Sequence, residues 1–184
     1  MDQELESLLE EALSQGYSPL QRMTDTDFAY LAGILDGEGA FMVMRNSGGG
    51  GAIQRVEVAS TSPKLMEWLR NKFPGVSCGT SYSATSAREA ASKWSICDRG
   101  ILCQLLPHVI PYLTIKQVHA KLLLKYCETF RFCKQGVKLS VEETELREAY
   151  VTLFKILNGK GPGSYEEKKA VMEELVSEGI LCSN

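Results

Sequence analysis

Residues 30–41, with the sequence YLAGILDGEGAF, constrain the fold of this chain more than any other segment. On a helix, Ala29, Gly33 and Gly37 fall at positions i, i+4 and i+8 and form one stripe of very small side chains. Such a stripe lets two helix backbones approach closely, for steric reasons that hold in water as well as in lipid. The segment therefore predicts a helix that packs against a second copy of itself.

Two acidic residues, Asp36 and Glu38, stand where the predicted helix gives way to a strand. If two copies pack along the small stripe, their carboxylates meet near the dimer axis. Adjacent carboxylates repel each other unless cations lie between them, which indicates bound Mg²⁺. Divalent cations held between two acids can activate water and stabilise the leaving oxygen in phosphodiester hydrolysis. The residues alone leave open the simpler interpretation that a glycine-rich helix end with two acids is only a turn.

The size and composition of the chain are typical of one globular domain. It has 184 residues, of which 44% are hydrophobic and 23% charged. No apolar run approaches the roughly 20 residues that span a bilayer, and the acidic N-terminal residues are unlike a secretory signal or a transit peptide. We expect a protein that is not secreted and has no membrane partner. The six cysteines lack zinc-ligand spacing and are interpreted as reduced thiols used as small apolar side chains.

Charge is distributed unevenly along the chain. The formal net charge is −3, but residues 1–16 hold five acids and no base, and residues 140–184 hold nine acids and five bases. The remaining residues, 17–139, therefore hold fifteen bases and nine acids, a net charge of +6. A basic central segment with acidic flanks is typical of a protein with a nucleic-acid-binding face. A chance fluctuation of charge along the chain is the alternative interpretation.

The order of predicted elements indicates an α+β fold. Hydrophobic periodicity and turn residues predict strands over 40–46, 53–60, 76–84 and 91–97. Before and between these strands they predict a helix over 3–14, a helix from Thr24–Asp27 to about Asp36 and a helix from Ser62. After the last strand, the sequence predicts a short helix over 101–106, a helix opened by a capping box at Thr114/Gln117 that reaches about Cys133, and helices opened by capping boxes at Ser140/Glu143 and Ser164/Glu167. This αββαββα order with extra C-terminal helices predicts an antiparallel sheet with helices on one face and an open second face. We divide the chain into an acidic helical extension, residues 1–20, and one domain, residues 21–184.

Two segments resemble a known family. Residues 31–39 are similar to the LAGLIDADG motif of homing endonucleases, and Glu38 stands where an acid, commonly Asp, is expected. The positions that match the motif are Leu31, Ala32, Gly33, Asp36 and Gly39. Residues 111–125, which begin PYLTIKQ, are similar to the P-F-L-x-x-K-Q segment of chloroplast-type members that carry one motif and are encoded in group I introns. The order of elements over most of the chain is similar as well.

The resemblance implies a specific biochemistry. It implies the LAGLIDADG fold with a saddle-shaped antiparallel sheet and, because the motif occurs once, a homodimer. Members of this family bind double-stranded DNA and make a double-strand break in a long, nearly palindromic target by Mg²⁺-dependent phosphodiester hydrolysis, with Mn²⁺ or Ca²⁺ able to substitute in binding. The break promotes mobility of the host intron. The resemblance thus implies no small-molecule substrate, and a location in a chloroplast or mitochondrion if the intron lies there, otherwise in the cytoplasm.

The resemblance also assigns roles to individual residues. Glu38 would bind the metal, with the adjacent Gly37 at the same site, and Asp36 would be structural at the helix end. Lys116 would stabilise charge at the scissile phosphate or position water, and its predicted place at a helix N-terminus also favours an anion. The remaining assignments are Ser60, which stands where the family commonly places a water-holding Gln, and Lys64, which corresponds to a basic residue at the start of the next helix.

The open face of the sheet is the surface that the resemblance assigns to DNA reading, and the alternation of side chains along a strand predicts which residues it presents. The outward positions are Met42, Met44, Asn46, Ile53, Arg55, Glu57, Cys78, Thr80, Tyr82, Lys93, Ser95 and Cys97. The positions expected to face the helices are Phe41, Val43, Val56, Val58, Trp94 and Ile96. Arg55 is the best candidate for reading a guanine, and Glu57 could accept a hydrogen bond from a cytosine. A merely solvated sheet face is the alternative.

Two other functions are compatible with the sequence. The same fold could bind DNA without cutting it, or could serve as an RNA maturase in intron splicing. The small stripe could also serve dimerisation alone, in a protein-interaction module. The presence of both Glu38 and Lys116 favours the endonuclease, whereas Ser60 in place of Gln and the acidic flanks keep the non-cleaving alternative open.

Overall fold

The computed structural model describes residues 19–45, 51–82, 90–128, 139–159 and 170. Its elements, in chain order, are α1 (Asp25–Glu38), β1 (Gly39–Arg45), β2 (Ala52–Ser60), α2 (Pro63–Lys72), β3 (Ser77–Tyr82), β4 (Ala91–Ile96), α3 (Arg99–Val109), α4 (Gln117–Glu128) and α5 (Val141–Leu157), with short 3₁₀ helices at Leu20–Arg22 and Ile110–Tyr112. The predicted order of helices and strands is confirmed over these residues. The helix predicted over 3–14, the position of Asn46 and the capping box at Ser164/Glu167 lie outside the described residues. Within the described ranges, no helix has both the length and the apolar character needed to span a membrane.

The four strands form one antiparallel sheet in the order β1-β2-β4-β3. Gly39 of β1 pairs with Val58 of β2, Val58 pairs with Trp94 of β4, and Trp94 pairs with Cys78 of β3. This row of paired residues crosses the whole sheet and places β1 and β3 at its edges. The predicted α+β class with an antiparallel sheet is therefore confirmed.

The helices cover one face of the sheet and form the core with it. Six strand side chains turned to that face are no more than 3% exposed: Phe41, Val43, Val56, Val58, Trp94 and Ile96. Leu31 of α1, Leu123 of α4 and Phe154 of α5 are buried against them. Burying a large apolar side chain stabilises the fold by about 1.5–3 kcal/mol. The inward alternation predicted for β1, β2 and β4 is thus confirmed.

Local side-chain caps explain where three helices begin. Thr24 and Asp27 form a reciprocal capping box at the start of α1. The capping box predicted at Ser140/Glu143 is confirmed at the start of α5, and the Ser62 hydroxyl caps α2. Each such cap contributes about 1 kcal/mol, so these residues fix the ends of helices that the apolar pattern alone would leave imprecise.

The start of α4 differs from the prediction. The helix begins at Gln117 itself, so Thr114 is not its N-cap residue. The Gln117 side chain donates to the carbonyl oxygen of Ile110, 3.2 Å away. The backbone N–H groups just ahead of α4 are instead satisfied by a carboxylate from α1, as described below. A partner distant in the sequence therefore replaces the local cap. The predicted continuation to Cys133 lies outside the described residues.

The first half of β3 has the opposite phase to the predicted one. Cys78 pairs with Trp94, whose side chain is fully buried on the helix side of the sheet. Arg70 of α2 donates its Nε–H to the Cys78 sulfur over 3.3 Å. Cys78 therefore faces the helices, and its predicted outward position is wrong. The strand sequence SCGTSY offers no alternation of apolar and polar residues that would fix its phase.

The second half of β3 contains an irregularity in the register. Thr80 pairs with Ser92, two residues from the buried Trp94. The register then shifts between Thr80 and Tyr82, and Tyr82 pairs with Ala91. An extra residue in one strand of a pair reverses the phase beyond it. The outward positions predicted for Thr80 and Tyr82 stay predictions, because their side chains lie outside what the structure describes.

α5 covers the outer edge of the sheet at β1. Arg45 forms an ion pair with Glu148 over 2.6 Å, and the Asn158 side chain donates to the carbonyl oxygen of Phe41 over 3.0 Å. An uncovered edge strand presents backbone groups that can pair with another chain. The cover at β1 therefore leaves the open face of the sheet, and not this edge, as the accessible surface on that side of the molecule.

Candidate active site and open sheet face

The end of α1 holds its two acidic residues in very different environments. Asp36 is half-buried, and its carboxylate accepts hydrogen bonds from the backbone N–H groups of Thr114 (2.7 Å), Ile115 (3.2 Å) and Lys116 (2.8 Å). Glu38, the last residue of α1, is exposed, and no hydrogen bond or ion pair from the described part of the chain engages its carboxylate. Asp36 is thus committed to the fold, whereas Glu38 is available to a ligand.

The pKa of Asp36 follows from its contacts. Burial raises the pKa of this carboxyl, but the three N–H donors and the positive charge of Lys116 outweigh burial and hold the pKa below its ordinary value of 3.8. The carboxyl is therefore ionised at neutral pH, the state in which both oxygens accept hydrogen bonds. Unpaired N–H groups at the start of a helix also favour an anion electrostatically.

Lys116 reaches back to the end of α1. Its Nζ donates to the carbonyl oxygens of Leu35 (3.0 Å) and Gly39 (2.7 Å), which lie on either side of Glu38 along the chain. The Leu35 carbonyl oxygen also accepts from the Gly39 N–H, and the partial negative charge at a helix C-terminus favours an ammonium there. Partial burial lowers the pKa of Lys116, against the charges of Asp36 and Glu38, which raise it. An ammonium has three N–H donors, and one remains beyond these two bonds.

Asp36 and Lys116 together form a reciprocal connection, which we call the α1–α4 clasp. The carboxylate satisfies N–H groups ahead of α4, and the ammonium satisfies carbonyl groups at the end of α1. The clasp fixes the backbone on both sides of Glu38. The structure therefore brings Glu38 and Lys116 to one place, while the contact of Lys116 with a phosphate stays a prediction. The clasp itself was not predicted, because its partners are 77 to 81 residues apart in sequence.

The donor set at this end of the sheet fits a divalent cation as a shared site. Mg²⁺ prefers oxygen ligands and is commonly bound by one or two carboxylates together with waters and phosphate oxygens. One chain offers the exposed Glu38 carboxylate and, beside it, the exposed backbone of Gly37. Within the described ranges, no group of three or more His, Cys, Asp or Glu residues could hold a metal by itself. A cation at Glu38 would therefore need further oxygen ligands from outside the described residues.

Ser60 and Lys64 lie on either side of the start of α2. The alternation of β2 places Ser60 on the same side as the buried Val58, and its hydroxyl oxygen accepts a hydrogen bond from the Ser62 N–H over 3.1 Å. This bond shapes the turn into α2. Lys64 is exposed in the first turn of that helix. The water-holding role of Ser60 and the charge-stabilising role of Lys64 stay predictions.

The small-residue stripe of α1 faces solvent. Ala29, Gly33 and Gly37 are all exposed, and a Cβ atom added at either glycine would meet nothing within 4 Å. Tyr30, next to the stripe, is 52% exposed and packs edge-on against Trp68. Glycine inside a helix costs about 1 kcal/mol relative to alanine. Nothing in the described part of the chain requires glycine at these two positions, so the stripe is suited to a partner outside the chain.

A network of charged side chains occupies the centre of the open face. The Glu57 carboxylate lies between two cations, 3.5 Å from Arg55 Nη1 and 3.3 Å from Lys93 Nζ. Arg55 also donates its Nε–H to the Cys97 sulfur over 3.2 Å. All four residues were predicted to face outward, and the structure brings them together. The sequence did not reveal that Glu57 and Cys97 hold the Arg55 guanidinium between them.

The half of the open face towards the β1–β2 hairpin is apolar. Met42 pairs with Arg55, and one step farther from α1, Met44 pairs with Ile53. The two methionines and Ile53 are half-buried on the predicted open side. The two methionines also line a cavity of about 380 Å³ at the β1 edge. The open face therefore changes from charged to apolar along the strands.

The open face differs from the predicted one at Ser95 and along β3. Ser95 lies on the open side but is only 7% exposed, because it is short and pairs with Glu57 on one side and Ser77 on the other. It does not reach outward as predicted. Ser77 and Gly79 are exposed and pair with Ser95 and Lys93, so they occupy the open side of this part of β3 in place of Cys78. The side chains at positions 80 and 82 lie outside what the structure describes.

The arrangement of helices on one face of a four-stranded antiparallel sheet is the LAGLIDADG homing-endonuclease fold, as the likeness to solved structures shows. I-CvuI, a homing endonuclease in complex with its DNA target in the presence of calcium, has a TM-score of 0.53 at 17% identity, covering 84% of this chain and 96% of that chain. The archaeal intron-encoded homing endonuclease I-Vdi141I, complexed with DNA, has a TM-score of 0.51 at 10% identity with the same coverage. No protein-family model and no curated protein matches this sequence. The likeness thus lies in the fold, which the resemblance had implied.

Proposed function

We propose that this chain is a sequence-specific DNA endonuclease of the LAGLIDADG homing type, which acts as a homodimer and cuts both strands of a long, nearly palindromic target with Mg²⁺. The observation that carries the proposal is the position of Glu38. Its carboxylate is exposed and free of partners from the described residues, at the end of a helix whose small-residue stripe faces solvent. Two copies packed along that stripe would bring two such carboxylates together.

The residues of each chain have separate roles in this proposal. Gly33 and Gly37 allow the two α1 helices to approach closely. Glu38 holds the cation and, through it, the scissile phosphate. Lys116, fixed on the backbone oxygens that flank Glu38, turns its remaining N–H and its positive charge towards that phosphate. Bound Mg²⁺, for which Mn²⁺ or Ca²⁺ could substitute in binding, would activate the attacking water and stabilise the leaving oxygen.

The open sheet face supports double-stranded DNA as the partner. The major groove of B-DNA admits a two-stranded β-ribbon and presents a distinct pattern of donors and acceptors at each base pair. Arg55, Glu57 and Lys93 offer complementary groups at the centre of the face. The proposal includes mobility of a host intron, which places the protein in a chloroplast or mitochondrion if the intron lies there and in the cytoplasm otherwise.

The charge of Glu38 provides the test of cleavage. Duplexes selected from a randomised library by binding in Ca²⁺ are then incubated with Mg²⁺ and wild-type protein or Glu38→Gln. We expect Glu38→Gln to cut at least about a hundredfold more slowly and to bind DNA as wild type does, because it loses a cation ligand without changing the sheet. Glu67→Gln, on the exposed side of α2, is the matched control and should cut normally.

Each other result has a defined meaning. Normal cleavage by Glu38→Gln would refute its role as metal ligand. Wild-type protein that binds duplexes and never cuts them would show a non-cleaving DNA-binding protein, and preferential binding of structured RNA would favour a maturase.

The dimer is tested separately by filling the small stripe. Gly33→Leu should sediment as a monomer, because a leucine side chain cannot fit between two closely packed backbones. Thr152→Leu, which places the same side chain on the exposed face of α5, is the control and should remain dimeric. A dimer that survives Gly33→Leu would refute packing along this stripe.

A further inference from the structure

We infer that each half of the DNA target carries a G·C pair nearer to its centre, read by Arg55, and a thymine farther out, read by Met44 and Ile53. This inference rests on the proposed function and adds to it the order of base preferences along the half-site. It follows from the change of chemistry along the open face, from a charged centre to an apolar end at the hairpin.

The register of β1 and β2 sets the order. From the α1 end towards the hairpin, the outward pairs are Ala40–Glu57, Met42–Arg55 and Met44–Ile53. Glu38 directly precedes β1, so the first pair lies nearest to the cleavage site and the last pair farthest from it. Strands rise about 3.4 Å per residue, and B-DNA rises about 3.4 Å per base pair. One step between outward pairs therefore corresponds to about two base pairs.

Arg55 is held in a geometry suited to guanine. The Nε–H is bonded to Cys97 and one Nη1–H lies against Glu57, so both Nη2–H groups and one Nη1–H remain for a ligand. A fork of parallel N–H donors matches the O6 and N7 acceptors of guanine in the major groove. Because two contacts already restrict the side chain, less rotamer freedom is lost on binding. Glu57 and Cys97 are thus positioning residues for Arg55.

Met44 and Ile53 offer no hydrogen bonds, so they cannot read the donors and acceptors of a base pair. Thymine alone among the four bases presents a methyl group in the major groove, and apolar side chains discriminate by contact with it. Both side chains are half-buried on the open side, and Met44 lines the apolar cavity at the β1 edge. A thymine methyl at this position would cover apolar surface that is otherwise in contact with water.

The guanine part of the inference is tested by selecting randomised duplexes in Ca²⁺ with wild type, Arg55→Lys and Arg45→Lys. We expect wild type to favour a G·C pair about tenfold at the inner position. Arg45→Lys is the control and should show the same preference, because the wild-type Arg45 guanidinium is paired with Glu148 on the other side of the sheet. Arg55→Lys keeps the charge and loses the fork, so discrimination should fall to within about twofold at that position only. Equal melting temperatures would show that all three proteins are folded.

The thymine part is tested with one selected duplex in which deoxyuridine replaces the outer thymine and so removes a single methyl. Wild type should bind the deoxyuridine duplex about threefold more weakly, and Met44→Ser, in which only Ile53 is left to contact the methyl, should show a smaller difference between the two duplexes. Equal binding of both duplexes by wild type would overturn the thymine assignment.

The selection also separates failure of this inference from failure of the proposed function. A palindrome with the reverse order, or one unaffected by Arg55→Lys, would overturn the inference and leave the DNA-binding function standing. If no duplex were enriched over non-specific competitor, the proposed function would fall, and the inference with it.

Discussion

Replacing Asp36 by asparagine should break the α1–α4 clasp without leaving a cavity. Asparagine keeps the shape of the side chain but loses its charge, and one of its two terminal groups donates where a carboxylate oxygen accepts. In the wild-type chain, both oxygens are in use, on the N–H groups of Thr114, Ile115 and Lys116 at 2.7–3.2 Å. The substitution therefore leaves at least one of these N–H groups facing another donor.

The size of the effect follows from these bonds. A hydrogen bond to a charged group contributes about 1.5–3 kcal/mol, and an unpaired donor costs about 1–3 kcal/mol. Because the site is only half-buried, we expect the free energy of unfolding in urea at pH 7 to fall by about 2–3 kcal/mol. This corresponds to about 5–10 °C in Tm for a chain of this size. Asp25→Asn, in the exposed first turn of α1, is the control and should lose less than about 1 kcal/mol.

The pH dependence gives an independent check. The pKa of Asp36 is lower in the folded chain than its ordinary value of 3.8. Its stabilising contribution is therefore complete above the unfolded pKa and is lost as pH falls through the folded pKa. The stability difference between wild type and Asp36→Asn should be constant above about pH 5 and shrink in stronger acid. Equal stabilities at pH 7, or a difference that does not shrink in acid, would refute the reasoning.

Three further predictions concern packing and charge. Gly39→Ala should lower the free energy of unfolding by at least about 2 kcal/mol, because the added Cβ would lie 2.6 Å from the Leu35 Cα. Gly37→Ala should instead raise the free energy of unfolding of the monomer by up to about 1 kcal/mol, because the added Cβ would meet nothing within 4 Å. Similar effects in urea titrations would contradict this difference. Phe154→Ala should lose about 3–5 kcal/mol in the same assay, since Phe154 is 1% exposed in the core, and a loss below about 1 kcal/mol would show that α5 does not anchor the sheet. DNA affinity should fall about a hundredfold between about 50 and about 200 mM salt, and a flat response in a fluorescence titration would exclude phosphate contacts.

Strand phase could be predicted where apolar residues alternate with other residues. In β1 and β2, Phe41, Val43, Val56 and Val58 recur at every second position, and all four are buried. β3 has no such alternation, and its phase depends on pairing with β4, where Cys78 lies opposite Trp94. Phase in a polar strand is a property of the register with its neighbour, which local sequence does not encode.

The candidate site was predictable in part. The motif located Glu38 at a helix end, and a helix start placed Lys116 near an anion-favouring position. Their connection through Asp36 could not be derived, because an aspartate that caps a helix about 80 positions away looks like any other acid. The contact of Arg55 with Cys97 has the same origin, since it depends on the lateral pairing of β2 with β4 and the residues just beyond it.

The α1–α4 clasp also makes the proposed cleavage conditional on complete folding. Its two ends are about 80 residues apart and are separated in the chain by every strand of the sheet. Closing so long a loop is entropically costly until the intervening contacts have formed, so the backbone around Glu38 is held in place only once the sheet is assembled. A chain that is still emerging from the ribosome or has partly unfolded lacks the fixed ammonium beside Glu38. Under the proposed function, this arrangement would restrict cleavage to molecules whose DNA-reading surface is already built.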